Sequence, residues 1–223
     1  MAGITSILAQ HLTRYDIEGR LGVGGMASVY KATDTRLKRK VAIKVMHEHL
    51  VQDSTFQQRF ETEAQLVASF NHPNIIQIYD YNVIMSEGHA LYYMVMPYIS
   101  GPTLADLLED CRTHGKALTH QRISEIITDI AAALDYAHQR ETTHRDVKPA
   151  NIIFDENGTA ILTDFGIARL AQGQGFTQDG TIVGTPTYLS PEQAQGQPPG
   201  CEGSALQNLR PRNLSGISDN DRE

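Results

Sequence analysis

The N-terminal part of the chain carries short apolar runs, and helical periodicity takes over beyond Thr103. Tyr15 to Gly22 and Ser28 to Ala32 read as strands on either side of a glycine-rich turn. Val41-Ala42-Ile43-Lys44-Val45 is a β-branched run of strand length. Phe56, Phe60, Ala64, Val67 and Ala68 recur near helical spacing and predict a helix over Thr55 to Phe70. Asn71-His72-Pro73-Asn74 stops it, because Pro73 cannot continue a helix and biases His72 away from αR. Ile75 to Val83 and Ala90 to Pro97 read as two strands around the polar turn Ser86-Glu87-Gly88. Leu104, Leu107, Leu108 and Cys111 then fall at i, i+3, i+4, i+7. Ile123, Ile126, Ile127, Ile130, Leu134 and Ala137 mark a longer core helix from Thr119 to Gln139. Ile152 to Phe154 and Ala160 to Leu162 are short strands joined by the turn Asp155-Glu156-Asn157-Gly158. From Gln197 to Glu223 neither period is present, and the segment reads as an unstructured tail.

Composition narrows the function classes. The 223 residues, 40% of them hydrophobic, suffice for a buried core. A net charge of −7 with 19 Lys+Arg argues against a nucleic-acid partner. The basic run Arg36 to Lys40 reads as a solvated hairpin. Cys111 and Cys201 make neither a disulfide framework nor a zinc motif, which points to a reducing compartment. No apolar stretch is long enough to span a membrane, and Met1 to Tyr15 lacks the organisation of a secretory signal. A cytoplasmic location is the expectation. His47-Glu48-His49 has no third ligand nearby and reads as a solvated loop. Asp106, Glu109 and Asp110 read as a solvated acidic helix face.

Leu21-Gly22-Val23-Gly24-Gly25-Met26-Ala27-Ser28-Val29 follows the pattern G-x-G-x-x-A-x-V. Glycines let a backbone reach positive φ and approach a phosphate closely. Alone, the pattern fits an ordinary hairpin turn equally well. A dinucleotide site needs a helix directly afterwards, whereas Ser28 to Ala32 reads as a strand. The Gly-Lys-Ser/Thr of a Walker A loop is absent. A loop between strands that clamps a nucleotide from above remains. Lys44 lies on the next strand and reaches back toward the same phosphates. A lysine held there needs a counter-charge. Glu61 and Glu63 lie on the following helix, and Glu63 borders its buried face. Further on come His144-Arg145-Asp146-Val147-Lys148-Pro149-Ala150-Asn151 and Thr163-Asp164-Phe165-Gly166. Phosphoryl transfer is mostly positioning and charge neutralisation. Asp146 suits acceptance of a hydroxyl proton and Lys148 suits steadying the transferred group. Asn151 and Asp164 offer oxygen ligands to Mg²⁺.

These residues resemble the protein-kinase signature set. With Gly184-Thr185-Pro186-Thr187-Tyr188-Leu189-Ser190-Pro191-Glu192, they resemble the eukaryotic-like Ser/Thr kinases of bacteria over about Tyr15 to Gly196. The resemblance implies a two-lobed α+β fold, with a β-rich N-lobe and a helical C-lobe. It implies ATP as co-substrate, Mg²⁺ or Mn²⁺ as metal, and protein substrates, while the oligomeric state stays open. Leu21, Gly22, Gly24 and Val29 match the nucleotide loop, with Ala27 in place of its third glycine. Lys44 and Glu63 match the ion pair, Asp146 the base, and Asn151 and Asp164 the metal ligands. Lys148, two residues after Asp146, is the Ser/Thr-type pattern. Met96 matches the gatekeeper. At the hinge, Pro97 would offer its C=O and Ile99 its N–H to adenine, with Val29, Ala42 and Ile153 around the ring. Arg145 would bind a phosphorylated activation loop. Thr177 and Thr181 are the candidate phosphosites, and Thr185 would help recognise the acceptor.

The expected organisation is a leader (1–14), an N-lobe (15–97), a partial C-lobe with catalytic and activation segments (98–196) and a disordered non-kinase tail (197–223). The resemblance stops before the remaining C-lobe helices, so the C-lobe is expected to be incomplete, from a frameshift or a truncated gene. The helix over 119–139 is then expected to expose an apolar patch, with Glu192 unpaired. The alternative to a working kinase is an impaired fragment that binds ATP or a partner, or a non-functional product.

Overall fold

The computed structural model describes residues 4–48, 51, 56–86, 88–165 and 188. Five strands form one antiparallel sheet: β1 (Tyr15–Val23), β2 (Ala27–Asp34), β3 (Arg39–Met46), β4 (Asp80–Ser86) and β5 (His89–Pro97), in the order β1-β2-β3-β5-β4. Strand side chains alternate between faces. Val29 lies opposite Lys44, Lys44 opposite Met94, and Ala42 opposite Met96, so these residues share one face. Tyr30, Val41, Ile43, Val45, Tyr93 and Val95 fill the other face and pack with Leu8 and Leu12. A slip of one residue would exchange the two sets, so burial of the second set fixes Lys44 on the first.

Leu8 belongs to helix α1 (Ile4–His11), which lies in the stretch expected to be a leader. Leu8 is fully buried. Helix α2 (Phe56–Ala68) follows β3 and buries Phe60, Ala64 and Val67. The strand expected over Ile75 to Val83 instead begins at Asp80. Ile75 makes a parallel bridge to Leu162, and the Ile76 N–H donates to the Leu162 carbonyl at 3.0 Å. Those apolar residues are buried against the second lobe rather than in the five-stranded sheet.

The turn between β2 and β3 holds the basic run, closed by the buried Asp34. Its carboxylate accepts from Arg14 Nη2 at 2.6 Å and from the Arg36 and Leu37 N–H groups, both at 3.0 Å. The Arg14 hydrogen bond holds the Asp34 carboxyl down at about 2.

The second lobe contains α3 (Leu104–Thr113), α4 (His120–His138), a 3₁₀ turn (Pro149–Asn151) and the antiparallel pair β6 (Ile152–Phe154) and β7 (Ala160–Leu162). Thr103 and Asp106 form a capping box at the start of α3. Glu109 pairs with Arg112 at 2.6 Å and Asp110 with His114 at 3.1 Å, so the acidic face is engaged within its own helix. Helix α4 turns Ile126, Ile130, Leu134 and Ala137 inward. Ile123 and Ile127, expected in the core, are 41% and 43% exposed. One apolar cluster runs from α2 through Phe70, Ile75 and Ile78 to α4, β6, β7 and Phe165. Among the described residues no helix is long and apolar enough to cross a membrane.

Candidate active site

The upper wall of the cleft is the glycine turn. Leu21, Gly22 and Val23 end β1, and the Gly24 N–H donates to the Ala27 carbonyl at 2.9 Å, closing the turn. The expected use of positive φ does not occur: Gly22, Gly24 and Gly25 are not among the positive-φ residues. Room is what the glycines supply. A Cβ added at Gly22 or Gly25 would meet nothing within 4 Å, and one at Gly24 only the Ala27 carbonyl at 3.7 Å. Ala27 is itself buried in the apolar cluster with Met46 and Phe60. Ala42 is buried, and Val29, Met96, Pro97, Ile99 and Ile153 are half-buried. Val29, Ala42 and Met96 share the sheet face that carries Lys44, while Thr103 bridges to Ile153 on β6.

The lower wall is the loop from His144 to Asn151. Asp146 Oδ2 accepts from Lys148 Nζ at 2.8 Å and from Asn151 Nδ2 at 3.0 Å. Asn151 Nδ2 also donates to the Asp146 carbonyl at 2.8 Å. Both donors use the same carboxylate oxygen, which directs Oδ1 away from them. His144 is buried beneath the loop. Its Nδ1 accepts from the Asp146 N–H at 3.3 Å, so its Nε2–H donates to the Thr163 carbonyl at 2.8 Å. Burial pushes the imidazole down to about 4, the neutral form that this bonding requires. One ring thus joins the loop of Asp146 to the residue before Asp164. Phe165 packs on it with centroids 4.5 Å apart and on Phe70 at 5.6 Å.

Asp164 and Arg145 both take left-handed backbone conformations, φ 60° and 67°. Non-glycine residues adopt this region at a cost, and such residues concentrate at functional sites. The turn at Asp164 brings its Oδ1 to 2.7 Å from Lys44 Nζ. Burial would raise the Asp164 carboxyl, but the Lys44 charge and hydrogen bond override it and hold it below its usual range. The expected Lys44–Glu63 pair is therefore not the one formed. Glu63 lies 3.8 Å from Arg145 Nη1 instead. Burial pushes Glu63 up to about 7, and the Arg145 charge opposes that only in part. Lys44 is paired with the more acidic of the two carboxyls. Arg145, expected to await a phosphorylated loop, is engaged with Glu63.

The donor chemistry fits a hard divalent cation. Asn151 commits its amide nitrogen to Asp146, which leaves its Oδ1 as an oxygen donor, and its backbone carbonyl accepts from the N–H of Thr163, the residue before Asp164, at 2.8 Å. Among the described residues no group of three His, Cys, Asp or Glu could hold a metal. Mg²⁺ does not need one, because it is bound through one or two protein oxygens plus substrate phosphates. His47 meets Ser28 Oγ at 3.1 Å and Glu48 pairs with His89, so neither forms a separate centre. His49, Thr177, Thr181, Thr185, Glu192 and the tail lie outside the described residues. The positioning roles of His144 and Phe165 were not read from the sequence. The signal available was their placement inside the two catalytic motifs, an imidazole two residues before Asp146 and a ring directly after Asp164.

The protein kinase domain family model matches residues 15–202. A probable serine/threonine-protein kinase of Streptomyces coelicolor is 44% identical over 186 residues, 82% of this chain and 27% of the relative. Serine/threonine-protein kinase PknB of Mycolicibacterium smegmatis is 45% identical over 191 residues, 84% of this chain and 30% of the relative. The chain thus spans less than a third of the length of these curated relatives. The crystal structure of the Mycobacterium tuberculosis PknI kinase domain superposes with a TM-score of 0.66 at 28% identity, over 85% of this chain and 68% of that one.

Proposed function

The chain belongs to the protein kinase family, and on that premise we propose that it transfers the γ-phosphoryl group of ATP to serine or threonine hydroxyls of proteins. The observation that carries the reading is the 2.7 Å contact between Lys44 and Asp164, which joins the sheet lobe to the catalytic loop lobe across the cleft. Lys44 and the open space at Gly22 and Gly25 form the phosphate end of the cleft. Pro97 and Ile99 would take the adenine end, with Leu21, Val29, Ala42, Met96 and Ile153 as its proposed apolar lining.

Asp146 receives the proton of the incoming hydroxyl on Oδ1, since Oδ2 is held by Lys148 and Asn151. The hydroxyl oxygen bonds to the γ-phosphorus as its bond to the β–γ bridging oxygen breaks, and ADP leaves. Lys148 lies where it can exchange Asp146 for the transferred phosphoryl oxygens. Asn151 and Asp164 would hold Mg²⁺, which when bound neutralises phosphate charge. Thr177 and Thr181 are proposed sites of autophosphorylation.

Incubation of the full chain with Mg·ATP and a generic protein substrate, followed by phosphoamino-acid analysis, tests this. Phosphoserine and phosphothreonine are expected. Label confined to phosphotyrosine, or no label at all, would overturn the assignment.

A further inference from the structure

Strand β7 ends two residues before Asp164 and pairs with β6 along one edge only. Its other edge presents the N–H and C=O of Ala160 and Leu162, residues with no solvent exposure. Buried backbone groups need protein partners, and all four have one. The Leu162 N–H donates to the Asn74 carbonyl at 2.8 Å, and the Leu162 carbonyl accepts from the Ile76 N–H at 3.0 Å. Among the described residues no backbone group serves Ala160 on this edge. Its N–H donates to Asp129 Oδ2 at 3.1 Å, and its carbonyl accepts from Asn74 Nδ2 at 2.9 Å. Asp129 comes from α4, and the buried Asn74 from the loop after α2.

We infer that Asp129 and Asn74 are positioning residues for Asp164, holding the outer edge of β7 through the two backbone groups of Ala160. They touch neither substrate nor metal. Their effect passes along β7 to the carboxylate at its end and ties that carboxylate to α4 and to the helix that carries Glu63. Arg122 of α4 supports the same hairpin by donating to the Gly158 carbonyl at 2.7 Å. The inference rests on the proposed function, because it concerns the metal-ligand role of Asp164.

The test is the affinity of the full chain for a fluorescent ATP analogue, measured without metal and across a Mg²⁺ titration. Asp129→Leu removes the acceptor, and Asp129→Asn keeps an oxygen that can accept from Ala160. Asp129→Leu is expected to raise the Mg²⁺ concentration for half of the metal-dependent gain by about tenfold, the low end of what losing a direct partner of a metal ligand costs. Metal-free affinity should stay unchanged, and Asp129→Asn should remain close to wild type. An unchanged Mg²⁺ dependence in folded Asp129→Leu would overturn the inference. So would an equal loss of affinity with and without metal, the mark of a purely structural role. Should Asp129→Leu fail to fold, Asn74→Ala carries the same expectation through the Ala160 carbonyl. Amide exchange in the wild-type chain adds an independent reading: Ala160 is expected to be as protected as Leu162, and rapid exchange at Ala160 would overturn the inference. Wild-type chain showing no Mg²⁺-dependent nucleotide binding would instead reject the proposed function and the inference with it.

Discussion

Buried His144 and half-buried Glu63 are shifted in opposite senses, to about 4 and about 7. The two carry opposite linkage to stability. The folded-state pKa of His144 lies below its unfolded value, so the unfolded chain binds the extra proton. Its contribution is present above the unfolded value of about 6.5 and is lost as pH falls toward the folded one. Glu63 lies above its unfolded value, so the folded chain binds the extra proton, and its cost is relieved as pH falls from the folded value toward about 4.5. Between those limits the slopes, each about 1.4 kcal/mol per pH unit, oppose one another. Glu63→Gln is expected to expose the His144 slope, with stability falling from pH 6.5 to 5. His144→Phe is expected to expose the opposite slope. Denaturant midpoints at the two pH values read both, and slopes of the same sign in the two variants would contradict the assignment. Sequence order alone exposed Lys44, Asp146, Asn151 and Asp164, because the phosphoryl-transfer residues come as motifs. The partner of Glu63 was not legible: whether it meets Lys44 or Arg145 depends on where α2 sits.

The elements differ in how plainly their residues announce them. The core strand over Val41 to Val45 follows from its β-branched run and α4 from the helical period of Ile126 to Ala137. Helix α1 is short, and its buried contacts rest on Leu8 and on Leu12 just beyond its end, too little for a periodic signal. Ile75 to Ile78 looks strand-like because it is apolar, yet its partners belong to the other lobe. Glycines separate into two kinds that sequence cannot tell apart. A Cβ at Gly101 would lie 2.0 Å from the Phe154 carbonyl, where the chain passes beside β6, whereas one at Gly22 meets open space. Gly101→Ala is expected to destabilise the fold by about 1–3 kcal/mol, as overpacking typically does. Gly22→Ala is expected to leave the melting temperature unchanged and to weaken ATP binding. Thermal denaturation with nucleotide titration separates the two, and a destabilised Gly22→Ala would contradict the reading of that space as the phosphate approach.

At the scale of the molecule, the two lobes meet through an apolar cluster continuous from α2 to β7 and through ionic contacts in the cleft. Lys44 of the sheet lobe holds Asp164, and Glu63 of α2 meets Arg145 of the catalytic loop. His144 then ties that loop to the segment before Asp164. Asp146, Asp164 and Lys44, the proposed base, metal ligand and phosphate-end lysine, are therefore parts of one connected arrangement, though Lys44 is far from the other two in sequence. The most direct test is the initial rate of phosphoryl transfer from labelled Mg·ATP to a protein substrate, comparing the full chain with Asp146→Asn. Asp146→Asn keeps the shape of the loop and removes the proposed base, so transfer is expected to fall by about 10²–10⁴-fold with nucleotide affinity retained. Equal label transfer by the two proteins would contradict the account.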